Sequence, residues 1–326
     1  MNTPVLFIFF KNKTTKIVFE SIKKNRPLKI YLCSDGPRKR IIGEDEEIYT
    51  LRKYILQNIN WECEVKTLFR EHNLGAKVNI FLAIKWFFVN EEKGIVLEED
   101  TLPSESFFEF CDELLEYYKN DKRVGMISGF NPFSSDLSIK ESYTFSKYNL
   151  CWGWASWRRV FREYDLFINE FEKKKDKVLN NFNNNIVLKY YWENLFYMSY
   201  YGLDDSWDAQ VSYLMYKNNM LTIYPKNNLI KNIGYNKFAI HCCGKPPLHI
   251  SKAIIEKMSF PIKFNMEIKN NIILDKYIEM VHFEIFFYVV IKLKIKYFLA
   301  RYFPIIFPFI KNIYKLLKKN YENFNS

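Results

Sequence analysis

Along the first part of the chain, short apolar runs alternate with longer stretches in which apolar positions recur every three or four residues. Val5–Phe10 is an apolar run of strand length, and beyond a polar break Val18 and Ile22 predict a helix across Thr14–Lys24. Leu28–Cys33 reads as a second strand, ending in the turn-forming Ser34-Asp35-Gly36-Pro37. Glu44–Ile59 reads as helix, Glu64–Phe69 as strand, and Ala76–Val89 as a strongly amphipathic helix carrying Val78, Phe81, Leu82 and Trp86. Gly94–Leu97 is a short buried strand that runs straight into Glu98-Glu99-Asp100. Phe107, Phe110, Cys111, Leu114 and Tyr118 then mark a helix, and Val124–Ile127 another strand.

Strands alternating with helices of this length predict an α/β fold built on βαβ units and a mostly parallel sheet. In such sheets ligands bind beyond the carboxyl ends of the strands. That rule singles out Lys11, Asp35-Gly36 and Glu98-Glu99-Asp100. No glycine-rich dinucleotide or P-loop pattern follows any strand, which disfavours a dinucleotide oxidoreductase and a P-loop NTPase.

The second half is less regular. Cys151-Trp152-Gly153-Trp154-Ala155-Ser156-Trp157-Arg158-Arg159 crowds three tryptophans together. Lys173–Asn185 is polar and reads as a loop or frayed helix; an aromatic helix, Tyr190–Tyr201, precedes Asp204-Asp205-Ser206-Trp207-Asp208. The expected division is a catalytic domain over 1–255, with a nucleotide half (1–130) and an acceptor half (131–255), followed by a helical extension over 256–326.

Composition changes the picture in one respect. The net charge is +11, but residues 1–284 carry 40 basic and 36 acidic side chains, while Ile285–Ser326 carries eight basic residues and one acid, Glu322. The basicity belongs to the tail. A nucleic-acid-binding protein is the alternative reading of a basic, aromatic chain, but a near-neutral body offers no broad basic groove, so no nucleic-acid partner is expected. The tail instead suits either packing on the domain or the surface of an anionic membrane. The six cysteines have no metal-ligand spacing and read as reduced thiols. The apolar start lacks a basic flank and reads as a strand rather than a leader, so a cytoplasmic protein, peripheral on the inner face of the plasma membrane, is expected.

Three consecutive carboxylates at the exit of a buried strand are costly unless they meet positive charge. A hard cation such as Mn²⁺ or Mg²⁺ takes oxygen ligands and would bridge a carboxylate to a diphosphate. The competing reading is a solvated acidic turn before a helix N-terminus. Asp204, Asp205 and Asp208 equally suit a helix cap, Trp152, Trp154 and Trp157 equally suit a core, and Arg158 and Arg159 suit either surface or phosphate.

The run Asn73-Leu74-Gly75, followed by Gly94-Ile-Val-Leu-Glu-Glu-Asp-Thr-Leu-Pro, resembles the acidic metal motif of GT-A glycosyltransferases, and most of all the N-acetylglucosaminyltransferase-I-like branch with its bacterial relatives. The resemblance extends over about residues 3–245. It implies a GT-A fold and a metal-dependent, inverting transferase that moves a sugar from a nucleotide-diphospho-sugar to a glycan or lipid-linked acceptor of a bacterial surface glycan. It further implies Asp100 as metal ligand, Lys11, Asp35, Glu98 and Glu99 as donor contacts, with Asp35 on a uracil base, and Asp208 in Ser206-Trp207-Asp208 as catalytic base. Trp152, Trp154 and Trp157 match an acceptor-side signature, and Asn232-Ile233-Gly234-Tyr235 with His241 matches a segment near the diphosphate, His241 contacting phosphate or metal. Glu99 departs from the aspartate usual there, which leaves a catalytically degenerate scaffold as a further alternative.

Overall fold

The structure is a computed structural model that describes residues 1–11, 13–134, 137–182, 185–235 and 245–303. Its first half follows the alternating pattern. Strands β1 (Val5–Phe9), β2 (Lys29–Ser34), β3 (Glu64–Phe69) and β4 (Lys93–Glu98) are joined by helices α1 (Thr15–Asn25), α2 (Glu44–Asn58) and α3 (Ala76–Asn90). They pair in parallel, with Val5 opposite both Ile30 and Ile95, and Lys29 opposite Glu64. Every residue of β1 is buried, as a strand covered by helices on both faces requires.

Helix α3 departs from expectation. Its buried side chains are Asn79, Ile80, Ala83, Ile84, Phe87 and Phe88, not the row Val78, Phe81, Leu82 and Trp86, which is only half-buried. It is apolar all round because it is covered twice. Phe87 packs edge-on to Tyr31 of β2, while Phe88 stacks on Phe161 of α5 (Arg158–Phe161) and Phe81 packs on Tyr164.

The chain continues through β5 (Thr101–Pro103), α4 (Glu105–Tyr117), β6 (Val124–Ser128), β7 (Tyr143–Ser146) and β8 (Trp154–Trp157). Beyond α5 come α6 (Phe171–Leu179), α7 (Ile186–Tyr200), α8 (Asp208–Lys217), β9 (Leu221–Pro225) and β10 (Ile230–Asn232). The last described helices are α9 (Leu248–Lys252), α10 (Ile272–Tyr277) and α11 (Phe287–Tyr302). The main sheet has eight strands in the order β3-β2-β1-β4-β8-β6-β9-β7. Only β8, between β4 and β6, and β7, at the edge, run against the rest. The result is an α/β fold with a large, mostly parallel sheet flanked by helices. A separate two-stranded sheet joins β10 to β5.

Residues 256–282 return to the β7 edge. The Lys263 amide donates to Ser142 Oγ (2.8 Å), and the buried Asp275 accepts from Ser146 Oγ (2.6 Å). Helix α11 lies on α7, with Tyr297 stacked on Tyr197. Among the described residues no helix is long and apolar enough to cross a membrane.

Candidate functional site

The carboxyl ends of β1, β2 and β4 converge, and β4 delivers the acidic run. Thr101 closes a tight turn there: its hydroxyl accepts from the Glu98 amide (2.9 Å) and donates to the Glu98 carbonyl (3.0 Å). Glu99 turns toward the loop after β1, where its carboxylate accepts from the Phe10 amide (2.7 Å) and Thr15 Oγ1 (3.0 Å). It holds that loop in place.

Glu98 and Asp100 are half-buried, and among the described residues neither carboxylate forms an ion pair. Burial, followed by the negative charges of Asp100, Asp208 and Glu99, pushes the Glu98 carboxyl well above its usual range. Burial likewise raises Asp100, against a hydrogen bond from its own backbone amide and then a weak contact from Asn232 Nδ2 to its Oδ2 (3.5 Å). Desolvation disfavours the charged form of a carboxylate, and like charges add to it.

The segment Asn232-Ile233-Gly234 covers Asp100. The Ile233 amide donates to the Asp100 carbonyl (2.8 Å), and the Gly234 amide donates to Asn232 Oδ1 (2.8 Å). A Cβ on Gly234 would stand 2.3 Å from Asp100 Oδ2, so only glycine permits this approach. Residues 236–244, and with them His241, Cys242 and Cys243, lie outside the described residues.

Asp208 opens α8 and is exposed. It accepts a hydrogen bond from Ser206 Oγ, and its charge reaches Glu98, Cys151, Tyr164 and Tyr191. Asp204, by contrast, is buried structure. It pairs with Lys77, in the first turn of α3, and accepts from Ser199 Oγ. A lysine at a helix N-terminus works against the helix dipole, and that misplacement is the one sequence signal that could have revealed the pair.

Other residues take structural parts. Asp35 Oδ1 accepts from the amides of Gly36 and Leu74 (both 2.9 Å), and Oδ2 from the Gly75 amide and Asn73 Nδ2 (both 3.0 Å). A carboxylate has about four lone-pair sites, and those of Asp35, expected from the resemblance to meet a uracil base, take up donors from Gly36 and from the Asn73-Leu74-Gly75 turn. Lys11 pairs with Glu44 (3.0 Å) and Glu47 (3.1 Å) of α2.

The tryptophans separate. Trp152 is half-buried against Phe130, Tyr235 and His282. Trp154 is buried between Phe161 and Trp207. Trp157 opposes Lys93, at the start of β4 and away from the acidic turn, and its indole donates to the Leu115 carbonyl (3.0 Å). Of the two places the sequence allowed it, acceptor wall or core, its surroundings are those of a core residue. Arg158 and Arg159 donate to backbone carbonyls, including those of Phe88 and Val124, rather than facing the site.

Oxygen-rich, uncompensated negative charge fits a hard cation in kind. Among the described residues, however, no three His, Cys, Asp or Glu side chains close round a point as a ready-made ion site. An open cleft of about 1260 Å³ lies elsewhere, between α1, the start of α4 and residues 255–260, and includes none of these carboxylates.

No family model matches the chain, and no curated protein matches it. Among solved structures it is similar to the mannosyltransferase PcManGT from Pyrobaculum calidifontis, in complex with GDP-Man and Mn²⁺, at 10% identity and TM-score 0.35, over 67% of this chain and 70% of that one. It is also similar to HddC from Yersinia pseudotuberculosis, at 11% identity and TM-score 0.30, over 50% of this chain and 80% of that one. A cytidylyltransferase from Leptospira borgpetersenii serovar Hardjo-bovis gives 11% identity and TM-score 0.31, over 57% and 72%. Likenesses this distant say nothing of ligand or reaction.

Proposed function

We propose that the chain is a metal-dependent glycosyltransferase that moves a sugar from a nucleotide-diphospho-sugar to an acceptor hydroxyl, with inversion. The observation that carries this reading is the pair Glu98 and Asp100 at the carboxyl end of a central strand, without an ion pair among the described residues and within electrostatic reach of the exposed Asp208.

In this reading Asp100 would hold Mn²⁺ or Mg²⁺, with Glu98 beside it as a donor contact. The cation supplies Lewis-acid neutralisation of the departing diphosphate. Glu99 fixes the loop after β1, which lies over the nucleotide end together with Lys11, and Asp35 acts by shaping the neighbouring turn. Asp208 takes the proton of the acceptor hydroxyl as its oxygen bonds to the anomeric carbon and the bond to the diphosphate oxygen breaks. The acceptor is a glycan or a lipid-linked hydroxyl, met on the side of Trp152.

Calorimetric titration of a nucleotide-sugar panel with Mn²⁺, run beside a transfer assay, tests these roles. Asp100→Asn is expected to lose cation-dependent donor binding, since an amide is a poorer ligand for a hard cation. Asp208→Asn is expected to bind donor normally and transfer about 10²–10⁴-fold more slowly. Wild-type transfer by Asp208→Asn, or donor binding indifferent to the cation, would overturn the assignment.

A further inference from the structure

Helix α11 has two apolar faces, and among the described residues only one of them is covered. Val290 and Ala300 are buried, and Leu293 and Tyr297 are half-buried, on the side that meets α7. Opposite them Phe287, Ile291, Ile295, Phe298 and Tyr302 recur at helical spacing, from 45% to 70% exposed. Helical periodicity sets Lys294 and Arg301 along one border of this outer stripe and Lys292 along the other. No acid occurs between Ile285 and Phe303, and the sequence beyond adds Lys311, Lys315, Lys318 and Lys319 against Glu322 alone. A single soluble surface seldom exposes a continuous apolar stripe of this kind.

We infer that the outer face of α11 docks flat on an anionic lipid bilayer. The rim decides between occupants. A second copy of the same stripe would bring lysines against lysines, whereas an anionic surface meets the apolar row and its basic borders together. The helix has 16 residues, about 24 Å at 1.5 Å per residue, so it lies in the interface instead of spanning it. The docked helix is also tied to the candidate site: Tyr201, which leads into the loop carrying Asp204 and on to Asp208, packs at a tilt on Tyr297, and its ring centroid lies 4.1 Å from the Arg301 guanidinium carbon. A lipid-linked acceptor would then reach the site from the surface the helix rests on, a consequence that leans on the proposed function, while the docking itself does not.

Cosedimentation of the full chain with vesicles of phosphatidylcholine, with and without half phosphatidylglycerol, tests this without any donor. Binding to the anionic vesicles is expected to exceed that to neutral ones by at least about tenfold. It should fall about fivefold for each basic residue removed, as in Lys294→Ala, and at least as far for the double change Ile291→Asp, Ile295→Asp. Both variants alter exposed positions, and an unchanged melting temperature shows that the fold is kept. No binding to anionic vesicles, or equal binding by the double variant, would overturn the inference. A concentration-dependent dimer abolished by the double variant would likewise overturn it, by giving the stripe to a second copy.

Discussion

Two strand ends lie close together in the sheet and carry carboxylates in opposite circumstances. At the end of β2, Asp35 receives four protein donors, and the nearby Glu44 sits between Arg38 and Lys11. At the end of β4, Glu98 and Asp100 are half-buried with no cation paired to them among the described residues. The acids are the same, but one set has its lone pairs filled and the other does not. A filled carboxylate rigidifies a turn; an unfilled one inside a protein stores repulsion that a ligand can relieve.

Mutations sharpen that contrast, beginning with the largest effect. Asp35→Ala strands three backbone amides and the Asn73 amide, so it should destabilise the fold by roughly 3 kcal/mol in urea denaturation. Glu98→Gln should act in the opposite direction. With like-charge repulsion relieved, the metal-free chain gains about 1 kcal/mol, and its melting temperature becomes less responsive to added Mn²⁺. An equal loss of stability at both positions would erase the distinction between the two strand ends.

Acidity separates Glu44 from Glu98, whereas burial raises the Asp35 carboxyl as it raises that of Glu98. Hydrogen bonds from the Arg38 guanidinium, more than anything else, hold the Glu44 carboxyl down to about 2. A depressed carboxyl gives stability that is full above its ordinary value near 4.5 and fades as pH falls toward 2. For Glu98 the folded value is raised, so the folded chain binds the extra proton, and this group adds stability as pH falls through that value. Comparing the pH dependence of stability in Glu44→Gln and Glu98→Gln should therefore remove terms of opposite slope. The smallest effect belongs to Glu47→Ala. Glu47 is an exposed partner of Lys11 and Glu44 remains in place, so the change is expected to stay below about 0.5 kcal/mol.

What the sequence made legible follows the same division. Strands β1 to β4 stand out because each is a short apolar or alternating run between helices, and Glu64–Phe69 is found at the expected residues. Strand β8 was hidden, since Trp154–Trp157 looks like a cluster of aromatic chemistry, and its partners β4 and β6 are remote in the chain. Helix α3 misled because packing on two sides erases the polar stripe from which a face is read. Glu98, Glu99, Asp100 and Asp208 were visible as acids in suggestive places. That Asp35 is saturated was not, because two of its donors, the amides of Leu74 and Gly75, come from a turn beyond β3.

The small sheet that lays Gly234 over Asp100 pairs Ile230 with Pro103 and Asn232 with Thr101. Strands β1 to β4 need only contiguous sequence to assemble, but this cover waits for a partner made far later in synthesis. Contacts so distant along the chain form late and slowly. A growing polypeptide therefore carries its acidic turn open to water until the second half has emerged. The cover over Asp100 cannot form before residues 230–234 have been made.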